Sequence, residues 1–315
     1  MLPAPAARVA IVADETGWHT RQLQSALRQR GARGRCIDLA DCRIDTGAAW
    51  HGLALPGFGR ELPDAVLVRG IAGGSFEQVT KRLGVLHALR ELGVPVYNDA
   101  RAIERSVDKS MTSLLLHAAG IPTPATWATE SAAEAQRIVM REAAAGRSLV
   151  LKPLFGSQGK GLRKLGQVDG RFEALPDLGA GYGGLAYLQR WIAPTEAPGF
   201  DYRVLVIAGR AVAAMRRVSE HWIHNLAQGA RSEATPLAPR LAALAEASAA
   251  ALGMDYAGVD IMPSADPAAP LQVIEVNGVA AWQGLQRVTG FNIARALVDD
   301  LLDRRLAARR ARRRA

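Results

Sequence analysis

Short apolar runs punctuated by glycine alternate with amphipathic stretches through the first hundred residues. "RVAIVAD" reads as a buried strand, "TRQLQSALRQRGA" as a helix stopped at Gly31, and "GRCIDL" as the next strand. "DAVLVRG" continues the sheet, "FEQVTKRLGVLHALRELG" is a second amphipathic helix ending in glycine, and "VPVYN" is a further short strand. This order predicts a small parallel sheet with helices, a Rossmann-like α/β lobe over residues 1–98.

The pattern then lengthens. "DARAIERSVDKSMTSLLLHAAG" sets Ile103, Val107, Met111 and Leu115 on one face of a helix that stops at Gly120. "IPTPAT" is extended, because each proline disfavours helix in the residue before it. "SAAEAQRIVMREAAAG" is a helix leading into the strand "SLVLKPL", a glycine-rich loop and a return strand "LRKLGQV", a central lobe over 99–184. "LGAGYGG", residues 178–184, reads as a mobile loop.

From residue 185 the pattern is antiparallel and the class α+β: a strand "LAYLQRWI", then "DYRVLVI" and "AVAAMRRV" as a hairpin around "AGR". A helix "TPLAPRLAALAEASAAALG" and strands "GVDIMP" and "LQVIEVN" follow, and "NIARALVDDLLDRRLAARRARR" closes the chain as a long helix. The third lobe is 185–303, with an arginine-rich tail at 304–315.

Composition changes this picture little. A chain of 315 residues with 22% charged positions is globular and large enough for an enzyme. The net charge of +9 suggests nucleic acid until it is located, since removing the seven arginines of the tail leaves +2. The tail is expected to be a solvated helix end, and nucleic acid is not the expected partner. Cys36 and Cys42 lack zinc-site spacing and companion histidines, so they read as reduced thiols. No segment reads as a signal peptide or membrane span, and the cytoplasm is the expected location. A homo-oligomer is left open.

Chemistry concentrates in two places. In "LVLKPLFGSQGKGLRKL" (149–165), Leu154 stands where a Walker-type loop needs its first glycine, and the loop joins strand to strand, which excludes a dinucleotide fingerprint. What remains is a hairpin loop whose bare backbone at Gly156, Ser157, Gln158, Gly159 and Gly161 can approach phosphate, with Lys152 on the entering strand. The bland alternative is a hairpin turn that needs glycine for conformation alone. The second place is "LQVIEVNGV", where Glu275 and Asn277 share one strand face and Asp260 of "AGVDIMP" could meet them across the sheet. Two carboxylates and an amide oxygen suit Mg²⁺ when phosphate and water complete the shell; a polar edge face is the alternative.

Lys109, Lys152, the glycine loop and the Asp/Glu/Asn set, in this order, resemble the ATP-grasp ligases over essentially the whole chain, the N-terminal lobe taking the place of their pre-ATP-grasp domain. "LVLKPLFGSQGKG", "LQRWI", "GFDYRVLVI", "HNLAQGA", "AGVDI" and "IEVN" resemble the RimK-type amino-acid ligases. "VLVRG", "IERSVDKS", "GIPTP" and "WQGLQRVTG" look like the branch that adds L-glutamate to pterin or furan one-carbon carriers, such as tetrahydromethanopterin or methylofuran precursors. The resemblance implies ATP and two Mg²⁺ ions, with Mn²⁺ as a substitute. It further implies that Lys109 and Lys152 hold phosphates from opposite sides of a cleft, that Gln189, Arg190, Trp191 and Ile192 form an adenine hinge, and that Asp201 contacts the ribose. By the same likeness Asn225 sits near the phosphates, and Asp260, Glu275 and Asn277 bind metal.

Arg203 shares a strand face with Asp201 and is expected to act with Lys152 on the reacting phosphoryl group. Of the adjacent Arg216 and Arg217, one should line the cleft and grip a carboxylate; Arg69 is a further candidate at the acceptor. The chain departs from the family at Ile223, where arginine is frequent and His224 could supply the charge. "GVAAW" after Asn277 argues for a small acceptor flanked by Trp282. The expected activity is an ADP-forming ligation of L-glutamate to a small acceptor, such as a one-carbon-carrier precursor, tyrosine or a glutamyl chain. A ligase acting on protein or peptide tails and a nucleotide-binding regulator without turnover are the alternatives.

Overall fold

The computed structural model describes residues 6–47, 50–156 and 158–314; Ser157 therefore lies outside the described residues. The first lobe carries β1 (Arg8–Val12), α1 (Trp18–Gln29), β2 (Arg33–Ile37), a small hairpin of β3 (Arg43–Ile44) and β4 (Leu53–Ala54), β5 (Ala65–Val68), α2 (Phe76–Glu91) and β6 (Val96–Tyr97). Its parallel sheet runs β2-β1-β5-β6, as the alternation of strand and helix predicts. Residues Ala65–Val68 are wholly buried, which is why this strand reads as an unbroken apolar run.

The single helix expected over 99–120 is two. α3 (Ala100–Val107) ends at Asp108, whose carboxylate caps α4 (Lys109–Ala118) by accepting from the Ser110 and Met111 N–H groups. Val107 and Met111, expected on one face with Ile103 and Leu115, are 47% and 39% exposed. The break places Lys109 in the first turn of α4, facing the glycine loop.

A middle sheet of order β10-β9-β8-β11-β7 is built from β7 (Thr126–Thr129), β8 (Ser148–Lys152), β9 (Arg163–Val168), β10 (Arg171–Glu173) and β11 (Ala186–Arg190), with α5 (Ala132–Ala144) packed on it. β11, expected to open the third lobe, thus belongs to the second, while α3 and α4 pack on the third sheet. "LGAGYGG" is not a free loop: Gly179–Tyr182 forms a short helix, α6, and the buried Tyr182 donates from its hydroxyl to the Gly161 carbonyl at 2.8 Å.

The third sheet, β14-β13-β12-β15-β16, is antiparallel. It comprises β12 (Gly199–Ile207), β13 (Arg210–Ser219), β14 (Arg231–Ala234), β15 (Tyr256–Pro263) and β16 (Leu271–Asn277), with α7 (Pro239–Leu252) packed on one face. α8 (Gln283–Val288), α9 (Ile293–Asp300), a π-helical turn Leu301–Leu306 and α10 (Ala307–Arg314) complete the chain.

The first and third lobes share one core. Ile11, Leu67 and Tyr97 pack in the same cluster as Leu205, Tyr256, Trp282 and Leu297. Asn98, fully buried, joins them with all its hydrogen bonds made: it donates to the Tyr256 and Gly278 carbonyls and accepts from the Asp255 and Tyr256 N–H groups. The middle lobe has a separate core around Ile138, Leu149, Leu151, Leu165 and Leu188. A lobe with its own core can move as a body over a fixed base.

The tail is more than a solvated end. Arg304 pairs with Asp255 and Asp300, Arg305 lies 3.4 Å from Asp255, and Arg309 donates to the Asp64 carbonyl of the first lobe. Asp255 is buried, and burial pushes its carboxyl pKa up against the pull of these arginines. Arg304→Ala should cost about 1 kcal/mol, the value of a half-exposed pair, and thermal unfolding of the variant checks it.

Candidate active site

Between the middle and third sheets lies a cavity of roughly 100 Å³ that Lys109, Lys152, Asp201, Arg217, Asp260 and Glu275 line together with the glycine loop and the hinge. Period-two alternation puts these side chains there. Antiparallel registers pair Asp260 with Glu275, Arg203 with Asp260 and Asp201 with Arg217, so residues facing one another across four strands present their heads to one face.

The middle sheet supplies the lysines' surroundings. Lys152 donates to the Gln189 side-chain carbonyl at 2.6 Å, and burial lowers its pKa to about 8 although Glu275 and Asp260 pull it upward. Lys109 donates to the carbonyls of Leu154 at 3.2 Å and Gly156 at 2.7 Å, and burial lowers its pKa too. The loop lies down on the third lobe: Gly159, at φ +72°, has no room for a side chain, because a Cβ there would stand 2.7 Å from the Ile223 side chain and 2.8 Å from the Asn225 amide oxygen. Asn225 thus lies directly against the loop. Gln228 adds a bond to the Gln158 carbonyl at 3.2 Å.

Four buried charges fill the floor. Arg217 forks onto Asp201 and reaches Asp260 at 3.0 Å, and Arg203 forks onto Asp260 from the other side. Burial acts to raise the Asp260 pKa, but the two arginines outweigh it and hold the carboxyl below its ordinary value. Arg216 points away, pairing with Glu196 and stacking over Phe200 at 3.7 Å. Of the two neighbours, Arg217 lines the cleft.

Several expected roles need correction. In this state Asp201 and Arg217 hold each other and Arg203 holds Asp260, so these groups are not free for a sugar, a substrate carboxylate or a phosphoryl group. His224 does not replace the arginine expected at Ile223: it is buried, and burial lowers its pKa, leaving a neutral imidazole near Asp201 and Arg217. Trp282 does not flank an acceptor. It is 1% exposed, packed edge-on against Trp18 and His19. Its backbone N–H donates to the His19 Nε2, which burial keeps neutral by lowering the pKa to about 4. Arg69 covers the Trp282 ring and donates to the Val279 carbonyl at 3.0 Å, tying the first lobe to the segment after Asn277. In the hinge, the Arg190 and Trp191 N–H groups are taken by the Ala125 and Ser148 carbonyls, and the Arg190 side chain turns outward to Glu142.

The oxygens expected to hold metal sit on adjacent strands. Asn277 donates from its amide nitrogen to the Gly258 carbonyl at 3.2 Å and toward Asp260 at 3.5 Å, and the Glu275 carboxylate makes no hydrogen bond or ion pair with any described residue. Among the described residues no group of three or more His, Cys, Asp and Glu could hold a metal, so the third protein ligand would be the Asn277 amide oxygen. The donor set fits a hard cation, provided an arginine yields Asp260 and the Asn277 amide turns its oxygen to the site. Trp222, which lines the cavity, and Lys164, whose ammonium lies against the Trp191 and Trp222 rings, were not singled out from sequence.

Residues 106–301 match the model of the RimK-like ATP-grasp domain, and residues 7–103 match the RimK PreATP-grasp domain. The chain belongs to the RimK-like ATP-grasp family. A tetrahydromethanopterin:alpha-L-glutamate ligase of Methanosarcina acetivorans is 28% identical to this family member, over 92% of this chain and 97% of that one. A probable alpha-L-glutamate ligase of Hahella chejuensis is 32% identical over 90% of each. Among solved structures, the ATP-grasp ligase PsnB, complexed with a phosphomimetic precursor variant, Mg and ADP, superposes with a TM-score of 0.71 at 23% identity, covering 96% of this chain and 98% of that one. All three lobes of this ATP-grasp ligase are thus covered by a known fold.

Proposed function

We propose that this ATP-grasp ligase joins L-glutamate to a small amine- or carboxylate-bearing acceptor, with ATP and Mg²⁺, through an acyl phosphate. A one-carbon-carrier precursor of the methylofuran or tetrahydromethanopterin kind is the leading acceptor class, with tyrosine or a glutamyl chain next; the named glutamate ligases among the relatives support this reading. The observation that carries it is the convergence of two lysines, a glycine loop and the carboxylates of Asp260 and Glu275 on one cavity, with no serine, cysteine or charged histidine among its described lining residues to act as nucleophile or base.

A carboxylate acylates poorly because it would have to expel oxide. The carboxylate to be joined, the acceptor's or the glutamate side chain's, therefore attacks the γ-phosphorus of ATP, the bond to the bridging oxygen breaks, and ADP leaves. The amine of the other substrate then adds to the acyl carbon, loses a proton, and the adduct expels phosphate to leave the amide. Lys109 and Lys152 neutralise the phosphates, and Arg203, once it yields Asp260, is placed to meet the transferred group. Two Mg²⁺ ions, replaceable by Mn²⁺, would be held by Glu275, Asn277 and Asp260 and would supply further charge neutralisation on the phosphates. The glycine loop shuts water away from the acyl phosphate.

The test is purified protein with ATP and Mg²⁺, assayed for ADP release against glutamate paired with candidate acceptors, with mass spectrometry of the product. ADP formed only with glutamate and a small acceptor supports the reading. A modified peptide tail, or bound ATP with no turnover in any pairing, sinks it.

A pH effect follows from Lys152. Its pKa of about 8 in the empty site leaves it charged below that value and increasingly neutral above it. Phosphate prefers the ammonium, so KM for ATP should hold steady below pH 8 and rise above it by up to about tenfold per unit. Initial rates between pH 6.5 and 9.5 measure this, and a flat KM would remove Lys152 from the phosphates.

A further inference from the structure

A lysine occupies the aromatic end of the cleft. On β8 and its neighbours, Val150 faces Lys164 across one register and Gln189 across the other, so these three side chains stand side by side on one face of the sheet. Val150 and Gln189 line the cavity, hence Lys164 projects to the same side. Its ammonium lies 3.9 Å from the centre of the Trp191 ring and 5.1 Å from that of Trp222. At 3.9 Å it must sit over the face, since a position in the ring plane would overlap the edge atoms. The two indoles meet edge to face, 5.5 Å apart at 83°.

Three parts of the chain meet here: the middle sheet through Lys164, the hinge through Trp191 and the third lobe through Trp222. The Lys164 ammonium has no hydrogen bond or ion pair with a described residue, and burial lowers its pKa while Asp169 pulls it upward, so the two indoles are its nearest described partners. Lys152, at the phosphate end, is two residues from Val150 on the same strand face, about 7 Å along it. A nucleotide with its phosphates at Lys152 would bring its base toward this aromatic corner. The cavity, at roughly 100 Å³, is smaller than the several hundred Å³ usual for such ligands, so something must leave before a base enters.

We propose that Lys164 is a placeholder: its ammonium covers the Trp191 face in the empty cleft, and the planar base of the nucleotide displaces it and stacks there, closed in by Trp222 from the third lobe. This rests on the nucleotide reading of the cleft. Displacing a cation from an indole costs binding energy, so the lysine weakens nucleotide binding and favours ligands that carry a base large enough to replace the contact.

The test compares ADP with inorganic tripolyphosphate, which carries charge but no base, by calorimetry and tryptophan fluorescence on the wild type, Lys164→Met, Trp222→Ala and Trp222→Phe. Removing the ammonium should tighten ADP binding by roughly threefold or more. Trp222→Ala should weaken ADP binding by about tenfold, and Trp222→Phe should restore most of the loss. Tripolyphosphate should bind all four proteins alike. Weaker ADP binding by Lys164→Met would make the lysine a direct ligand and overturn the proposal, as would a Trp222→Ala variant indistinguishable from wild type toward ADP. A wild type that binds tripolyphosphate but gains nothing from a base defeats the placeholder while sparing the phosphate site; one that binds neither defeats the nucleotide reading as well.

Discussion

Glu275→Gln should lower turnover by about a thousandfold, the upper range for loss of one preorganised charge at a reacting centre, while leaving the fold intact. Glu275 makes no hydrogen bond or ion pair with any described residue, so the amide breaks no contact there. Its charge is felt by both lysines: it raises the pKa of Lys152 and of Lys109 against the effect of burial. The variant should therefore also lose the Lys152 charge at lower pH than wild type. Unchanged unfolding temperature with ADP release reduced to near background is the expected pair of results; normal turnover would remove Glu275 from the metal shell.

Arg217→Met should destabilise the third lobe by about 3–5 kcal/mol, the cost of breaking a buried pair by removing one partner. Arg217 is 4% exposed and touches both Asp201 and Asp260, so its loss leaves two carboxylates in the interior with only Arg203 between them. A second change, Asp201→Asn in the same chain, should recover part of the loss, because the amide needs no counter-charge. Denaturant unfolding of the single and double variants decides it: an undisturbed single variant would mean that water or local rearrangement already screens the cluster.

How far the sequence exposed this site depended on the range of the signal. Glu275, Asn277 and Asp260 were legible because strand alternation is local and two short strands near each other in sequence pair readily. Lys152 was legible as the residue entering a glycine loop. The arginines were not, because Arg203 is 57 residues from Asp260 and no local pattern says that an arginine will be spent on a carboxylate instead of a substrate. Asp108 misled for the opposite reason: a polar residue inside a helical pattern reads as an exposed position, whereas here it ends one helix and caps the next. Trp282 looked like a surface aromatic beside the site, yet the first lobe buries it, a contact between segments more than 260 residues apart. β10 and β14 went unseen since three- and four-residue strands at sheet edges carry too few alternations to register.

The way the glycine loop is fastened bears on timing. Lys109, Tyr182 and Gln228 pin it from three directions through its own carbonyls, Leu154, Gly156, Gly161 and Gln158, so one of the lysines that should grasp phosphate is already engaged by the lid it sits under. An arriving nucleotide must wait for those fastenings to open. Its association should therefore run well below the diffusive ceiling and level off at high concentration, with the plateau rate belonging to the protein and not to the ligand.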